Sequence, residues 1–384
     1  MKLAILLSCD SFESYYSTVL GLSPEEYLKS YRNDWSWYYA FGIRDANIDT
    51  IIYIPSLYRS GIYNVEEGIS VRFIKIDKWY RPISVIRRAF RINKLFLYIH
   101  ERVNTISFLK SMARSLKEDA VDLLYIQEHW TGRFDQVVSK IEMPIVSGDH
   151  GGVADKTLKL FKKKRFLKVK RSYAQTEVEA NIINKYGGSA LLHPNGCDTE
   201  KFYPDKSVTR TKSLLTVARL TDKQKRTSDL IRAMEFLSSD WTLDIVGTGP
   251  DKEKLEKIVL DLKLSHRVKF HGFVDRSEVR KFLQRCGVYA MPSENEGIPI
   301  ALLEAMGCGA AVVVSQIRAF ESVIENNSNG MIFPVGDIQL LSKSIEYAWE
   351  NKLRLGKKAY TTVSTDYNTK KLYSDLAKSL KECL

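Results

Sequence analysis

Short runs rich in β-branched and aliphatic residues alternate with longer helical patterns from one end of this chain to the other. That alternation restricts the fold to parallel sheets covered by helices, an α/β protein rather than an all-β or all-α one. The runs fall into two series. In the first, the strand candidates are residues 3–7, 50–54, 71–76, 123–126, 145–146 and 190–193; in the second they are 213–218, 242–246, 268–271, 288–291, 311–314 and 331–333. Each series suits one doubly wound domain, and 384 residues are enough for two cores. Between the series, 195–209 holds Pro204 and Asp205 and little periodicity, the composition of an exposed hinge. The expected division is 1–203 and 204–366, two Rossmann-like domains sharing a cleft, followed by a C-terminal helix over 367–384.

The longest apolar stretch, 301–314, is interrupted by Glu304 and is shorter than the roughly 18 to 20 uncharged residues that cross a bilayer. No transmembrane helix is expected. The start reaches Asp10 without a small-residue cleavage site and reads as a buried strand, not a secretory signal. Cys9, Cys197, Cys286, Cys308 and Cys383 lie far apart with no C-x-x-C or Cys/His spacing, which fits a reducing cytoplasm. The 58 Lys and Arg against 46 Asp and Glu leave a net charge of +12, so phosphates of some kind should be attracted: nucleotide, nucleic acid or anionic lipid. No nucleic-acid recognition module accompanies the charge, and no nucleic-acid partner is expected.

Open α/β sheets bind ligands beyond the carboxyl ends of their strands, where loops and helix N-termini present backbone N–H groups. Leu243-Asp-Ile-Val-Gly-Thr-Gly-Pro250 is such a place, with Gly247 and Gly249 opening a helix over 251–260. Its sixth position is Lys252, so the full G-x-G-x-x-G is absent and a dehydrogenase is disfavoured. Gly247 then serves a phosphate-side turn or a plain strand-to-helix turn. The segment 292–306 carries Glu296 and Glu304 eight positions apart, with the amides of Gly297, Ile298 and Ile300 placed to meet an anion at the start of a helix over 301–306. Two glutamates near a helix are, taken alone, a cap and a solvated face. Glu304, however, is flanked by Leu302, Leu303, Ala305 and Met306, where a carboxylate needs a partner, and a ribose diol offers two donors. Arg219 ends a buried strand and Lys225 precedes the next helix. Read as more than surface charge, they form a diphosphate clamp, with a fork from Arg and a point charge from Lys.

With these elements together, the second half resembles the family 4 retaining glycosyltransferases (glycosyl transferases group 1), sugar-nucleotide enzymes of the GT-B fold. His193-Pro-Asn-Gly-Cys-Asp198 with Phe202 is similar to the family's P-N-G-V-D…F segment. Val217-Ala-Arg-Leu220 with Lys225 is similar to its V-G-R-L…K-G segment, Arg226 standing where the glycine is usual. Ile245-Val-Gly-Thr-Gly-Pro250 resembles its I-V-G-x-G-P turn, 268–274 its base-side strand and loop, and Glu296…Glu304 its E-x7-E signature. The resemblance covers about 195–315 and implies a role for each residue. Arg219 and Lys225 would hold the donor diphosphate, Glu304 the ribose hydroxyls and Glu296 a donor-sugar hydroxyl. The Gly297, Ile298 and Ile300 amides would complete the phosphate site, with Gly247 nearby, and Phe273 and Val274 would lie beside the base. In the first domain, Pro144-Ile-Val-Ser-Gly-Asp-His-Gly151 resembles the turn whose histidine, here His150, faces the donor sugar; His129 is a neighbouring competitor. The resemblance also implies that the C-terminal helix crosses back to the first domain. One departure stands out: the family's glycine-rich loop after the first strand is replaced by Ser8-Cys-Asp-Ser-Phe-Glu-Ser14, followed by Tyr15, Tyr16, Tyr31, Trp35, Trp37, Tyr38 and Tyr39, most of which suit core packing.

Transfer from a nucleoside diphosphate needs stabilised charge on the leaving phosphate, which fixed cations and helix N-termini supply. Arg219 and Lys225 are therefore catalytic candidates, and the resemblance adds Glu296 and His150 to them. No D-x-D carboxylate pair occurs, so neither a metal nor another cofactor is expected. Retention can arise through a covalent intermediate on Glu296 or by front-face attack, and the resemblance implies the second. The expected donor is a nucleotide-sugar carrying a hexose, the acceptor a glycan or lipid-linked sugar of cell-surface polysaccharide or lipopolysaccharide type. Acceptor-binding residues are not identified. From 156 to 171 there are nine Lys or Arg among apolar residues and no acid, and Arg81, Arg87, Arg88 and Arg91 mark a second basic stretch over 81–94. Both suit an anionic membrane at the cytoplasmic face, or a solvated helix face. A silent sugar-nucleotide-binding scaffold and a GT-B epimerase are the competing functions.

Overall fold

The computed structural model describes residues 1–32, 34–86, 94–149 and 161–384. The chain divides into two compact units, one of Met1–His193 with Leu372–Leu384 and one of Pro194–Lys371. Residues 194–203, expected in the first domain, thus go with the second.

The first unit is built on eight strands: β1 (Lys2–Leu6), β2 (Asp49–Ser56), β3 (Gly61–Glu66), β4 (Ile69–Lys75), β5 (Leu123–Gln127), β6 (Ile145–Gly148), β7 (Arg171–Ala174) and β8 (Ala190–Leu192). Their order is β3-β4-β2-β1-β5-β6-β7-β8, parallel except for β3, which runs antiparallel on β4 at the edge. Alternate residues serve opposite faces, as the strand period requires. Leu3, Ile5, Ile52 and Val71 pack with Trp37, Tyr27 and the C-terminal Leu376 and Leu380, whereas Ala4, Leu6, Tyr53 and Leu124 pack with Phe108, Phe134 and Val137. The terminal helix Thr369–Lys381 is held to this unit by Leu376, Leu380 and an Arg171–Glu382 ion pair at 2.8 Å.

The second unit carries β9 (Ser213–Val217), β10 (Thr242–Val246), β11 (Val268–Gly272), β12 (Val288–Met291), β13 (Ala311–Ser315) and β14 (Met331–Phe333). All are parallel, in the order β11-β10-β9-β12-β13-β14. Counted from its first strand this is 3-2-1-4-5-6, so the strand order reverses between β9 and β12. The carboxyl ends of those two strands form the crevice where a doubly wound sheet takes its ligand.

Strands β3 and β7 lie outside the sequence expectation. Strand β3 is an exposed edge with alternating polar residues, and β7 is only Arg-Ser-Tyr-Ala, whose Ser172 hydroxyl meets that of Ser147 at 3.0 Å. Neither presents the continuous apolar run that marks a buried parallel strand.

Candidate active site

The loops after β9, β11 and β12 bring the sequence candidates of the second unit together. Beyond β9, Ala218 donates its N–H to the Val246 carbonyl and Leu220 to that of Thr248, each at 3.0 Å, so 218–220 lies directly on the turn after β10. That contact explains the two glycines. A Cβ on Gly247 would stand 2.0 Å from the Ala218 carbonyl oxygen, and one on Gly249 2.4 Å from that of Leu220. Gly247 has φ +129, and its N–H donates to the Gly272 carbonyl at 2.7 Å. Gly247 was expected among the donor contacts. The structure instead commits its amide to β11, and the turn shapes the site from behind by letting two backbones meet. Arg219, carried on the clamped loop, is exposed, and its side chain makes no hydrogen bond or ion pair among the described residues.

Lys225 ends the short helix Asp222–Lys225, and Arg226 follows in the left-handed conformation with φ 50. A glycine takes that conformation without a Cβ penalty, which gives a physical reason for the family's usual residue here. Arg226 is held in place by Asp229 at 2.8 Å and Glu294 at 3.5 Å. The Gln224 carbonyl accepts from the Glu294 N–H at 2.8 Å and its side-chain amide donates to the Asn295 carbonyl at 3.2 Å, tying this helix to the loop after β12. The tie sets Lys225 Nζ 2.5 Å from Glu296 Oε1, with the Glu296 side chain 8% exposed.

Past Glu296, the Ile298 carbonyl accepts from Asn195 at 2.8 Å, which gives the asparagine of the Pro-Asn-Gly segment a defined task. Pro299 is the N-cap of the helix Ile300–Gly307. The Gly297 and Ile300 amides make no hydrogen bond among the described residues and stand at the positive end of that helix. Glu304 is buried on the same helix beside Leu302, Leu303, Ala305 and Met306. It is neither a cap nor a solvated face. Its carboxylate is paired with Arg276, the first residue of the helix Arg276–Arg285, whose guanidinium lies 5.4 Å from the Phe202 ring centroid. Each signature glutamate is thus neutralised by one cation.

Arg276 is the residue that sequence reasoning missed. A signal was present: a cation in the first turn opposes the helix dipole and calls for a local anion. Phe273, in the loop after β11, is 70% exposed, while Val274 is partly buried against the core.

In the first unit, His150 lies outside the described residues. The competitor His129 is fully buried, with Nε2 3.0 Å from Glu179 and Nδ1 3.4 Å from the Ser147 hydroxyl, a structural arrangement. The glycine-free segment after β1 is stitched by its own chain. Arg133 donates to the Leu7 and Cys9 carbonyls at 2.9 Å, and Glu13, in the π-helix Glu13–Ser17, accepts from Ser56 at 2.6 Å and the Leu57 amide at 3.0 Å. Tyr16, Trp37 and Tyr39 are buried as core, whereas Tyr15 is exposed. Of the two basic stretches, 87–93 and 156–160 lie outside the described residues. Among the described residues no group of three or more His, Cys, Asp or Glu side chains is arranged to hold a metal ion, and no helix is long and apolar enough to cross a membrane.

Residues 199–362 match the family model described as glycosyl transferases group 1. The chain is 31% identical over 180 residues to the amylovoran biosynthesis glycosyltransferase AmsK of Erwinia amylovora, covering 44% of each chain. It is 29% identical over 202 residues to the N,N'-diacetylbacillosaminyl-diphospho-undecaprenol alpha-1,3-N-acetylgalactosaminyltransferase of Campylobacter jejuni, covering 50% of this chain and 53% of that one. The match therefore spans about half the length of these curated relatives. Among solved structures, Anabaena HepE in complex with UDP-glucose superposes with a TM-score of 0.71 over the whole of both chains at 15% identity, a likeness of fold: two Rossmann-like units of the GT-B type.

Proposed function

Because residues 199–362 belong to the glycosyl transferases group 1 family, we propose that the chain is a retaining glycosyltransferase that moves a hexose-type sugar from a nucleoside diphosphate to a glycan or lipid-linked acceptor. The observation that carries this reading is the convergence at the β9/β12 switch point of Arg219, whose side chain has no partner among the described residues, the Lys225–Glu296 pair and the Gly297 and Ile300 amides. Cations and amide dipoles fixed in one crevice suit the charge that builds on a departing diphosphate.

In this reading Arg219 grips the diphosphate in a fork, and Lys225 turns from Glu296 toward it. Glu296, released, accepts a hydrogen bond from a donor-sugar hydroxyl and orients the sugar; the acceptor attacks from the face the phosphate leaves, passing its proton to that phosphate. Glu304 accepts from the ribose diol while Arg276 keeps its other lone pairs occupied, and Phe273 covers the base. No metal is called for, since the protein's own cations balance the leaving charge. The names of the relatives, one in polysaccharide biosynthesis and one acting on a diphospho-undecaprenol sugar, support an acceptor of that class.

The test is a titration of the protein with UDP-, GDP- and ADP-sugars in EDTA, followed by calorimetry and thermal shift. One base series should bind, and Lys225→Met should weaken that binding by about 10 to 100-fold, the value of a charge-assisted phosphate contact. Binding that needs a divalent ion, or that Lys225→Met leaves unchanged, would sink the reading.

A further inference from the structure

We propose that Tyr289 is a positioning residue for Glu296: when Lys225 leaves that carboxylate for the donor diphosphate, the Tyr289 hydroxyl takes its place as hydrogen-bond donor and holds Glu296 for the sugar. The proposal rests on the donor reading above and adds the group that serves Glu296 once its cation has gone.

Tyr289 lies in β12, in register with Leu215 of β9, on the two strands whose carboxyl ends form the crevice. Its side chain is fully buried and belongs to one cluster with Leu215, Val217, Met291 and Ile298. Ile298 follows Glu296 by two positions, so the loop that carries the carboxylate is seated on the same core that encloses the ring. The Tyr289 hydroxyl makes no hydrogen bond among the described residues. A buried phenol in that state is less favourable than phenylalanine, which fills the same space and has no polar atom to desolvate. In this arrangement of the crevice the hydroxyl only destabilises, and its use lies in another arrangement.

The surroundings of the ring identify that arrangement. Burial above all, and next the charge of Glu296, push the phenol's pKa up; the Val217 amide acts in the opposite sense, and Cys286 adds to the rise. An amide N–H can only donate, so it leaves the phenolic proton unused, and Glu296 is the carboxylate acting on it. Here that carboxylate is already served, with Lys225 Nζ 2.5 Å from Oε1. The Lys225 side chain is 16% exposed and that of Glu296 8%, so a lysine that turns away leaves an anion where water hardly reaches. A tyrosine O–H to a carboxylate is a short, charge-assisted bond, and a phenol is too weak an acid to pass its proton across it. Glu296 thus stays an anion with lone pairs left for a sugar hydroxyl. The two donors serve in turn: Lys225 in the free protein, Tyr289 in the loaded one.

The test is a mutant cycle on the full chain, read first by thermal unfolding without nucleotide, because Lys225→Met imitates the departure of the cation. Tyr289→Phe alone should hold or raise the melting temperature. In the Lys225→Met background the same change should lower it by about 3 °C or more, and with Glu296→Leu also present that loss should vanish, since the acceptor is gone. The second readout is calorimetry with UDP, GDP and ADP. Tyr289→Phe should weaken the diphosphate that the wild type binds by about tenfold, and should leave it unchanged in the Glu296→Leu background, where no carboxylate is stranded. A lower melting temperature for Tyr289→Phe alone, as for a phenol bridged to a buried water, would overturn the proposal, and so would equal shifts in the wild-type and Lys225→Met backgrounds. Unfolding uses no nucleotide, so a missing coupling would leave the transfer reading standing, whereas a wild type that binds none of the three diphosphates would count against transfer itself.

Discussion

Replacing Arg276 by methionine isolates the electrostatics around Glu304 without touching a strand or a cap. The substitution keeps the length of the aliphatic stem and removes the cation facing Glu304, whose side chain is 7% exposed where that of Arg276 is 37%. Removing one member of a fully buried pair costs about 3 to 5 kcal/mol, because the other charge is left in a low-dielectric site; with one partner in contact with water, about 2 kcal/mol is expected. For a unit of this size that corresponds to a fall of roughly 4 to 8 °C in melting temperature. The assay is thermal unfolding followed by circular dichroism in 0.1 M salt, with Glu304→Gln and the double variant alongside. Arg276→Met/Glu304→Gln has no charge to strand and should be more stable than Arg276→Met alone, a coupling that a simple packing loss would not produce. A shift below 1 °C in the single variant, or strict additivity in the double, would refute the reasoning that Glu304 is held as a buried carboxylate by Arg276.

Two other substitutions have outcomes set by the geometry. Gly249→Ala places a methyl 2.4 Å from the Leu220 carbonyl oxygen and 2.6 Å from its nitrogen, both backbone, so urea unfolding should show a loss of about 2 to 3 kcal/mol and nucleotide affinity should fall as the Arg219 loop is pushed away. In the first unit, burial above all, then the neighbouring Asp149, pushes the Glu128 carboxyl from its ordinary 4.5 up to about 7. An acid raised in the folded state binds more protons folded than unfolded between those values, so it takes stability away as pH rises through that window. Glu128→Gln should therefore stabilise the protein at pH 8 by up to about 3 kcal/mol and change little at pH 4, read from denaturant midpoints at each pH; equal effects at both would contradict the assignment.

The two α/β units were legible because strands buried on both faces are written as continuous apolar runs, as 311–314 and 123–126 are. Strands β3 and β7 were not, since an edge strand and a four-residue polar strand are defined by their neighbours. The helix expected over 301–306 is found at Ile300–Gly307, its start displaced by one residue because Pro299 caps it from an extended conformation. The glycines of Gly247-Thr-Gly249 were visible as a turn, but their reason was not. Only the tertiary structure shows that Ala218 and Leu220 occupy the space their side chains would fill.

Local chemistry, then, was in the sequence: which residues could serve as cations, carboxylates and free amides, and which strands would carry them to a carboxyl edge. Which charge meets which was not. Lys225 and Glu296 are 71 positions apart and meet because the helix after β9 is tied to the loop after β12, and Arg276 reaches Glu304 because β11 and β12 feed helices that lie side by side. Pairing of this kind depends on the lateral order of strands in a sheet, set by the packing of both faces, and no spacing along a chain encodes that order.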